Sequence, residues 1–152
     1  DLHFGSLPLA KQLIDVYETT GASVMATLHD PPSLHRYGVL DIDTDGKHVR
    51  DIVEKPEKGK EPSREASIGR FLFTPEIFPL LREGWEAHTG GGEDYHTYAL
   101  KGLMRRGGVV HHPIEGTRLD TGTPEGYLEA VLTYAASRPG LRDVIDRFST
   151  GN

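Results

Sequence analysis

The chain has 152 residues, 36% hydrophobic and 26% charged, and its 17 basic against 23 acidic side chains leave a formal charge of −6. That length fits one or at most two domains with a sizeable core, and the acidic balance argues against a nucleic-acid partner. The lack of cysteine excludes disulfides, thiolate metal sites and cysteine nucleophiles and leans toward a cytoplasmic location, while no apolar run approaches the roughly 18 to 20 residues of a membrane span.

The opening Asp1-Leu2-His3-Phe4-Gly5 runs like the middle of an element, so a fragment or a processed product is expected. Pro8 at a first-turn position, then Leu9, Leu13, Ile14 and Tyr17 at helical spacing and a stop at Gly21, predict an amphipathic helix. Ala22 to Leu28 follows as a buried strand, broken by Asp30-Pro31-Pro32. Alternation through Val39, Leu40 and Ile42, a turn at Asp43-Thr44-Asp45-Gly46, and renewed apolar positions at Val49, Ile52 and Val53 predict a hairpin. Residues 56 to 65 are too polar to pack and read as a surface loop. Ile68 to Phe73 is the next strand, and Thr74-Pro75-Glu76 opens a helix carrying Ile77, Phe78, Leu80 and Leu81. Gly90 to Gly92 is a loop or hinge before a helix from about Glu93 to Arg106. Val109 to Ile114 is a strand, Glu115-Gly116 a turn, and Pro124 opens a helix with Tyr127, Leu128, Val131 and Leu132. Leu141, Val144, Ile145 and Phe148 form the last amphipathic helix. Strands alternating with helices define an α/β fold with a mixed, mostly parallel sheet flanked by helices. In such sheets a polar residue just after a strand is a functional candidate.

Leu119-Asp120-Thr121-Gly122-Thr123 is the sharpest local signal. An aspartic-protease aspartate would need a second copy of the motif or a symmetric dimer, and no second copy is present. A carboxylate at a strand end beside a helix start could instead hold a hard divalent ion against a phosphate. The plain alternative is a turn or capping aspartate. Asp41-Ile42-Asp43-Thr44-Asp45-Gly46 imitates the start of a calcium loop, but its twelfth position is Ile52, so a polar hairpin turn is the better reading. Glu54-Lys55-Pro56 ends a strand, because proline cannot continue the ladder. Both charged side chains then sit at the sheet rim, where a carboxylate can accept from sugar hydroxyls and an ammonium can meet a phosphate; taken alone, an ordinary exposed ion pair is the commoner reading of such a strand end. His111 and His112, adjacent on a strand, point to opposite faces and read as solvated or incidental.

Taken in order, Asp1-Leu2, Tyr37-Gly38-Val39, Val53-Glu54-Lys55-Pro56, Ile68-Gly69-Arg70-Phe71, Thr74-Pro75-Glu76-Ile77-Phe78, Gly92-Glu93 and Asp120-Thr121-Gly122 resemble the C-terminal part of the bacterial sugar-phosphate nucleotidyltransferases. Tyr127-Leu128-Glu129-Ala130 and Ser137-Arg138-Pro139 extend the likeness. The resemblance implies that residues 1–152 are the C-terminal, sugar-binding half of a Rossmann-like nucleotidyltransferase fold, with the nucleotide half absent. It implies transfer of a uridylyl group from UTP to glucose-1-phosphate, giving UDP-glucose and pyrophosphate, with Mg2+ as cofactor and small molecules as partners. Neither nucleic acid nor membrane is expected as a partner, and a homo-oligomer is compatible. By the same resemblance Asp120 would bind the metal and Lys55 the sugar phosphate, both as catalytic residues. Glu54 would take the sugar hydroxyls, Gly38 would offer its backbone amide to the ring, and Asp1 would lie on the sugar side. Tyr95 and Tyr98 stand where uridyl-transferring relatives show Gln and Asp. The stretch around Asp120 is closer to thymidylyl-transferring relatives, so dTTP or another hexose phosphate stays open, as does a non-catalytic subunit of the same fold.

Overall fold

The computed structural model describes residues 2–87 and 94–149, which run β1 (Leu2–Phe4), α1 (Leu9–Thr20), β2 (Ser23–His29), β3 (Gly38–Ile42), β4 (Val49–Glu54), β5 (Glu65–Leu72), α2 (Ile77–Ala87), α3 (Asp94–Arg105), β6 (Val109–Pro113), β7 (Thr117–Leu119), α4 (Pro124–Ala136) and α5 (Pro139–Ser149). They fall into two compact units, one spanning Leu9–Ile114 and the other joining the start of the chain to the stretch from Glu115 onward. The expected glycine hinge at 90–92 and Asp1 lie outside the described residues. Among the described residues no helix is long and apolar enough to cross a membrane.

In the larger unit a five-stranded sheet has the order β4-β3-β5-β2-β6. The run Ser23 to Ala26 is buried without alternation because both faces of β2 are covered. Met25 and Val109 point into a core with Leu80 of α2 and Leu103 of α3, while Val24, Ala26 and Val110 point into a second core closed by Leu13 of α1. Helix α1 stops where Gly21 takes a φ of 68° and donates its N–H to Tyr17 O at 2.7 Å, the left-handed stop that glycine allows at no steric cost.

A mixed sheet flanked by helices is what the sequence predicted, but the sheet is not mostly parallel. Only β2 and β6 run parallel; β3–β4, β3–β5 and β2–β5 are antiparallel. The reason lies in the connections, since parallel neighbours need a long crossover, usually helical. The one parallel pair, β2 and β6, is joined by a long stretch of chain that includes α2 and α3, whereas β2 to β3, β3 to β4 and β4 to β5 are joined by turns, loops and the short 3-10 helix Leu34–Arg36. An isolated bridge between His48 and Val110 ties the start of β4 to the opposite edge strand, so the hairpin curls back over the sheet.

Two further expectations need correction. Strand β5 begins at Glu65, not Ile68, and Glu65 is buried rather than part of a solvated loop. Burial of an acidic side chain is tolerated when its oxygens are hydrogen-bonded, and those of Glu65 meet Thr27 Oγ1 at 2.7 Å and His29 Nδ1 at 2.5 Å. Nor is His111 solvated: its side chain is largely buried, with Nε2 at 3.2 Å from Gly46 O. His112 Nε2 meets Gln12 Oε1 at 3.3 Å.

The smaller unit pairs β1 with β7 antiparallel, Leu2 opposite Leu119, and carries α4 and α5. Phe4 of β1 packs on Tyr134 of α4 with ring centroids 6.1 Å apart.

Because Leu103 is 2% exposed and Phe78 is 70% exposed, Leu103→Ala is expected to lower the unfolding free energy by about 2–5 kcal/mol. Phe78→Ala should change it by about 0.5 kcal/mol or less; urea titrations of both variants check the contrast.

Candidate functional site

The hairpin of β3 and β4 brings three of the sequence-predicted residues together. Gly38 lies directly opposite Glu54 in the register, and a methyl group on Gly38 would lie 2.9 Å from both Glu54 Oε2 and Ile52 Cγ2. The absence of a side chain at 38 is therefore what lets the Glu54 carboxyl rest over this end of the hairpin. Lys55 follows with φ at 45°, a left-handed conformation unusual for a residue with a side chain. Its N–H donates to Tyr37 O at 3.0 Å, the last rung of the hairpin, and Pro56 has no N–H with which to add another. Glu54 and Lys55 are both 71% exposed, with Nζ 4.0 Å from Oε1. An ion pair this open contributes little stability, which leaves both charges available to a ligand. Asp30 and Ser33 share a positive φ, and backbone strain of this kind clusters at active sites and ligand clamps.

Glu54 also lines a cavity of about 890 Å³ between the sheet, α2 and α3. Its wall includes Ile52, Phe71, Phe73 and Leu100, and the rings of Phe71 and Phe73 stack with centroids 5.1 Å apart.

Asp120, in the smaller unit, directly follows β7. Its Oδ1 accepts from Gly122 N at 2.9 Å, an aspartate turn, and its Oδ2 is 3.5 Å from Arg118 Nη2. The Gly122 amide, and after it the Arg118 guanidinium, hold the carboxyl below the usual aspartate range although partial desolvation opposes them. Helix α4 starts immediately afterwards, where Thr123 Oγ1 accepts from Gly126 N at 3.1 Å. Gly126 is tied to this turn, because a Cβ there would stand 2.1 Å from Asp120 O.

The calcium-like segment is a hairpin turn, as expected. Asp45 Oδ1 accepts from the backbone N–H groups of Lys47 and His48 at 2.8 and 3.0 Å, and among the described residues no three acidic or histidine groups cluster as a metal cage. What the sequence does not reveal is the Thr27–Glu65–His111 contact, since nothing in a polar loop announces that its last residue turns inward.

The fold and these two rim sites define an α/β chain with charged side chains carried at strand ends. The sequence profile of the nucleotidyl transferase family matches residues 5–137, and the chain belongs to that family. It is 35% identical over 97% of its length to a UTP–glucose-1-phosphate uridylyltransferase of Staphylococcus haemolyticus, covering 52% of that protein. Among solved structures, a UTP-bound UGPase from Acinetobacter baumannii superposes with a TM-score of 0.74 at 26% identity, over 91% of this chain and 48% of the other. A UDP-glucose pyrophosphorylase complexed with UDP-glucose does so with a TM-score of 0.70 at 30% identity, over 90% and 53%. The chain thus spans about half the length of the curated relatives it matches.

Lys55→Gly is expected to stabilise the chain by up to about 1 kcal/mol, the left-handed cost relieved less the flexibility gained; thermal unfolding reads the sign. Since the folded-state value of Asp120 is lowered, its contact contributes above the ordinary aspartate value and is lost as pH falls through the folded one. Asp120→Asn should therefore flatten the loss of thermal stability as pH falls below the ordinary aspartate range.

Proposed function

We propose that this chain is the sugar-phosphate-binding part of a nucleotidyltransferase domain whose enzyme joins UTP and glucose-1-phosphate into UDP-glucose, releasing pyrophosphate. The observation that carries the reading is Lys55, an exposed cation in a strained left-handed conformation, next to a Glu54 that lies across from a side-chain-free Gly38. The printed names of the relatives, a UTP–glucose-1-phosphate uridylyltransferase and a UDP-glucose complex, supply the substrates.

In this reading Lys55 meets the sugar phosphate, Glu54 accepts from the glucose hydroxyls and Gly38 offers its backbone amide while leaving room for the ring. Asp1 belongs to the sugar side. The reaction is an attack by a sugar-phosphate oxygen on the α-phosphorus of UTP with pyrophosphate as the leaving group. It needs no protein nucleophile, and most of the catalysis is alignment and charge neutralisation. Fixing the phosphate from Lys55 and the ring from Glu54 supplies the alignment of the attacking group.

A divalent ion, Mg2+ in this proposal, fits Asp120. The residue offers a hard, solvent-exposed oxygen donor, and Mg2+ is commonly held by one or two carboxylates together with substrate phosphates. When bound, the ion neutralises charge on the phosphates. The turn through Gly122 fixes one carboxylate oxygen in advance and leaves the other facing Arg118. We place the enzyme in the cytoplasm.

In the full-length protein Glu54→Ala should raise the KM for glucose-1-phosphate by about tenfold or more with a smaller change in kcat. Asp120→Asn should abolish pyrophosphate release, measured with UTP and, in parallel, dTTP. Unchanged kinetics in both variants would refute the assignment, and turnover with dTTP alone would move the nucleotide preference.

A further inference from the structure

We propose that His111 and Glu65 are positioning residues that set where the β3–β4 hairpin holds Glu54 and Lys55, an inference that rests on the sugar-site reading above. The hairpin meets the rest of its sheet through few backbone rungs. Strand β3 pairs with β5 only at Val39 opposite Ala66, after which the hairpin leaves the sheet and its far end bends over to β6. There it is held by the His48–Val110 bridge and by His111 N donating to Lys47 O at 3.1 Å.

The side chain of His111 adds a third tie and anchors it. Gly46 O can only accept, so the Nε2 beside it at 3.2 Å carries the hydrogen. At the other side of the ring Nδ1 faces Thr27 Oγ1 at 3.5 Å and Glu65 Oε2 at 3.8 Å. Thr27 donates to the same Glu65 oxygen at 2.7 Å, and His29 Nδ1 lies 2.5 Å from the second. The ring is thereby wedged between β2, β5 and the hairpin turn. The side chains of His111 and Glu65 are both 9% exposed, and Thr27 is fully buried.

The wedge matters for the site because of where Glu65 sits. It is the first residue of β5, next to the Ala66 that makes the one rung to Val39, and Val39 is next to Gly38. One end of the hairpin is thus held through Gly46 O by His111, whose ring packs beside Thr27 and Glu65, and the other end is pinned through Val39 to the residue after Glu65. A hairpin held at one end from β6 and at the other from β5 has little freedom to shift Glu54 and Lys55. A polar group in this place, where leucine would fill the same space, restricts the position of the turn because a hydrogen bond has a direction and apolar packing does not.

The test compares His111→Leu, which keeps the bulk and removes the bond, with His111→Gln, whose amide can still donate to Gly46 O, and with the near-isosteric Thr27→Val. In the full-length protein His111→Leu should raise the KM for glucose-1-phosphate about five- to tenfold, with kcat and the KM for UTP within about twofold, and Thr27→Val should move the same constant by less. His111→Gln should restore it. Hydrogen exchange should show the amides of residues 43–54 opening faster in the leucine variant and not in the glutamine variant. Faster exchange without a change in that KM would overturn the inference, as would equal loss in all three constants, unchanged exchange, or failure of glutamine to restore the leucine defect. If the unsubstituted protein does not bind glucose-1-phosphate by calorimetry, the sugar-site reading itself falls and this inference with it. Binding by the unsubstituted protein together with any of the other adverse results strikes the inference alone.

Discussion

The larger unit depends on the way β4 stops. At Glu54 the ladder has one rung left to make, and Lys55 makes it by turning into the left-handed region so that its N–H reaches Tyr37 O. Pro56 then removes the donor that a further rung would need. A strand that simply frayed would leave Glu54 and Lys55 on a mobile end, with a large entropic cost to any ligand that had to order them. The forced turn instead fixes the backbone beneath two solvent-facing charges. The conformational cost, roughly 1–2 kcal/mol for a residue with a Cβ in this region, is borne by the hairpin and by the cores on either side of the sheet.

The aspartate turn in the smaller unit follows the same logic on a shorter scale. An exposed carboxyl on a flexible stem has little preferred direction, but Asp120 is restrained by a backbone amide two residues ahead and faces a guanidinium two residues behind. Helix α4 fixes the frame. Gly126 approaches the Asp120 carbonyl too closely for any side chain, and Thr123 closes the first turn. Capping, close approach and the aspartate turn all need short or absent side chains, which explains why threonine and glycine crowd this stretch of sequence. In both units a charged group is placed by backbone contacts and left open to solvent.

How far the sequence could be read depends on whether a feature is local. Helix α1 is marked by Pro8 and Gly21, the hairpin by its Asp-Thr-Asp-Gly turn, and the Asp120 turn by a strand running into Gly122 and Thr123; each signal lies within a few residues of what it determines. The rung structure of the sheet was less legible. A preference for parallel pairing follows from alternating strands and helices, but it is overridden where successive strands are joined by turns and loops without an α-helix between them. Lys55 gave no sign of its left-handed backbone, since that region is signalled by glycine or asparagine and not by lysine before proline. Of the candidate site, the residue identities were legible while the strain and the exposure that make them usable were not.

Glu65 and His111 show the other limit. A glutamate at the end of a run of lysines, glutamates and prolines looks solvated by every local measure, and a histidine pair on a strand looks incidental. Both are buried beside β2, which lies between their strands β5 and β6, and each is satisfied by residues distant in sequence, Glu65 by Thr27 and His29 and His111 by Gly46 O. Burial of this kind is non-local by nature. It also raises the demands on the fold, because a polar contact tolerates less displacement than the apolar packing around it. The most informative polar residues of this chain are therefore of two kinds: those at strand ends, which backbone turns hold out toward solvent, and those inside, which only a correctly placed hairpin can satisfy.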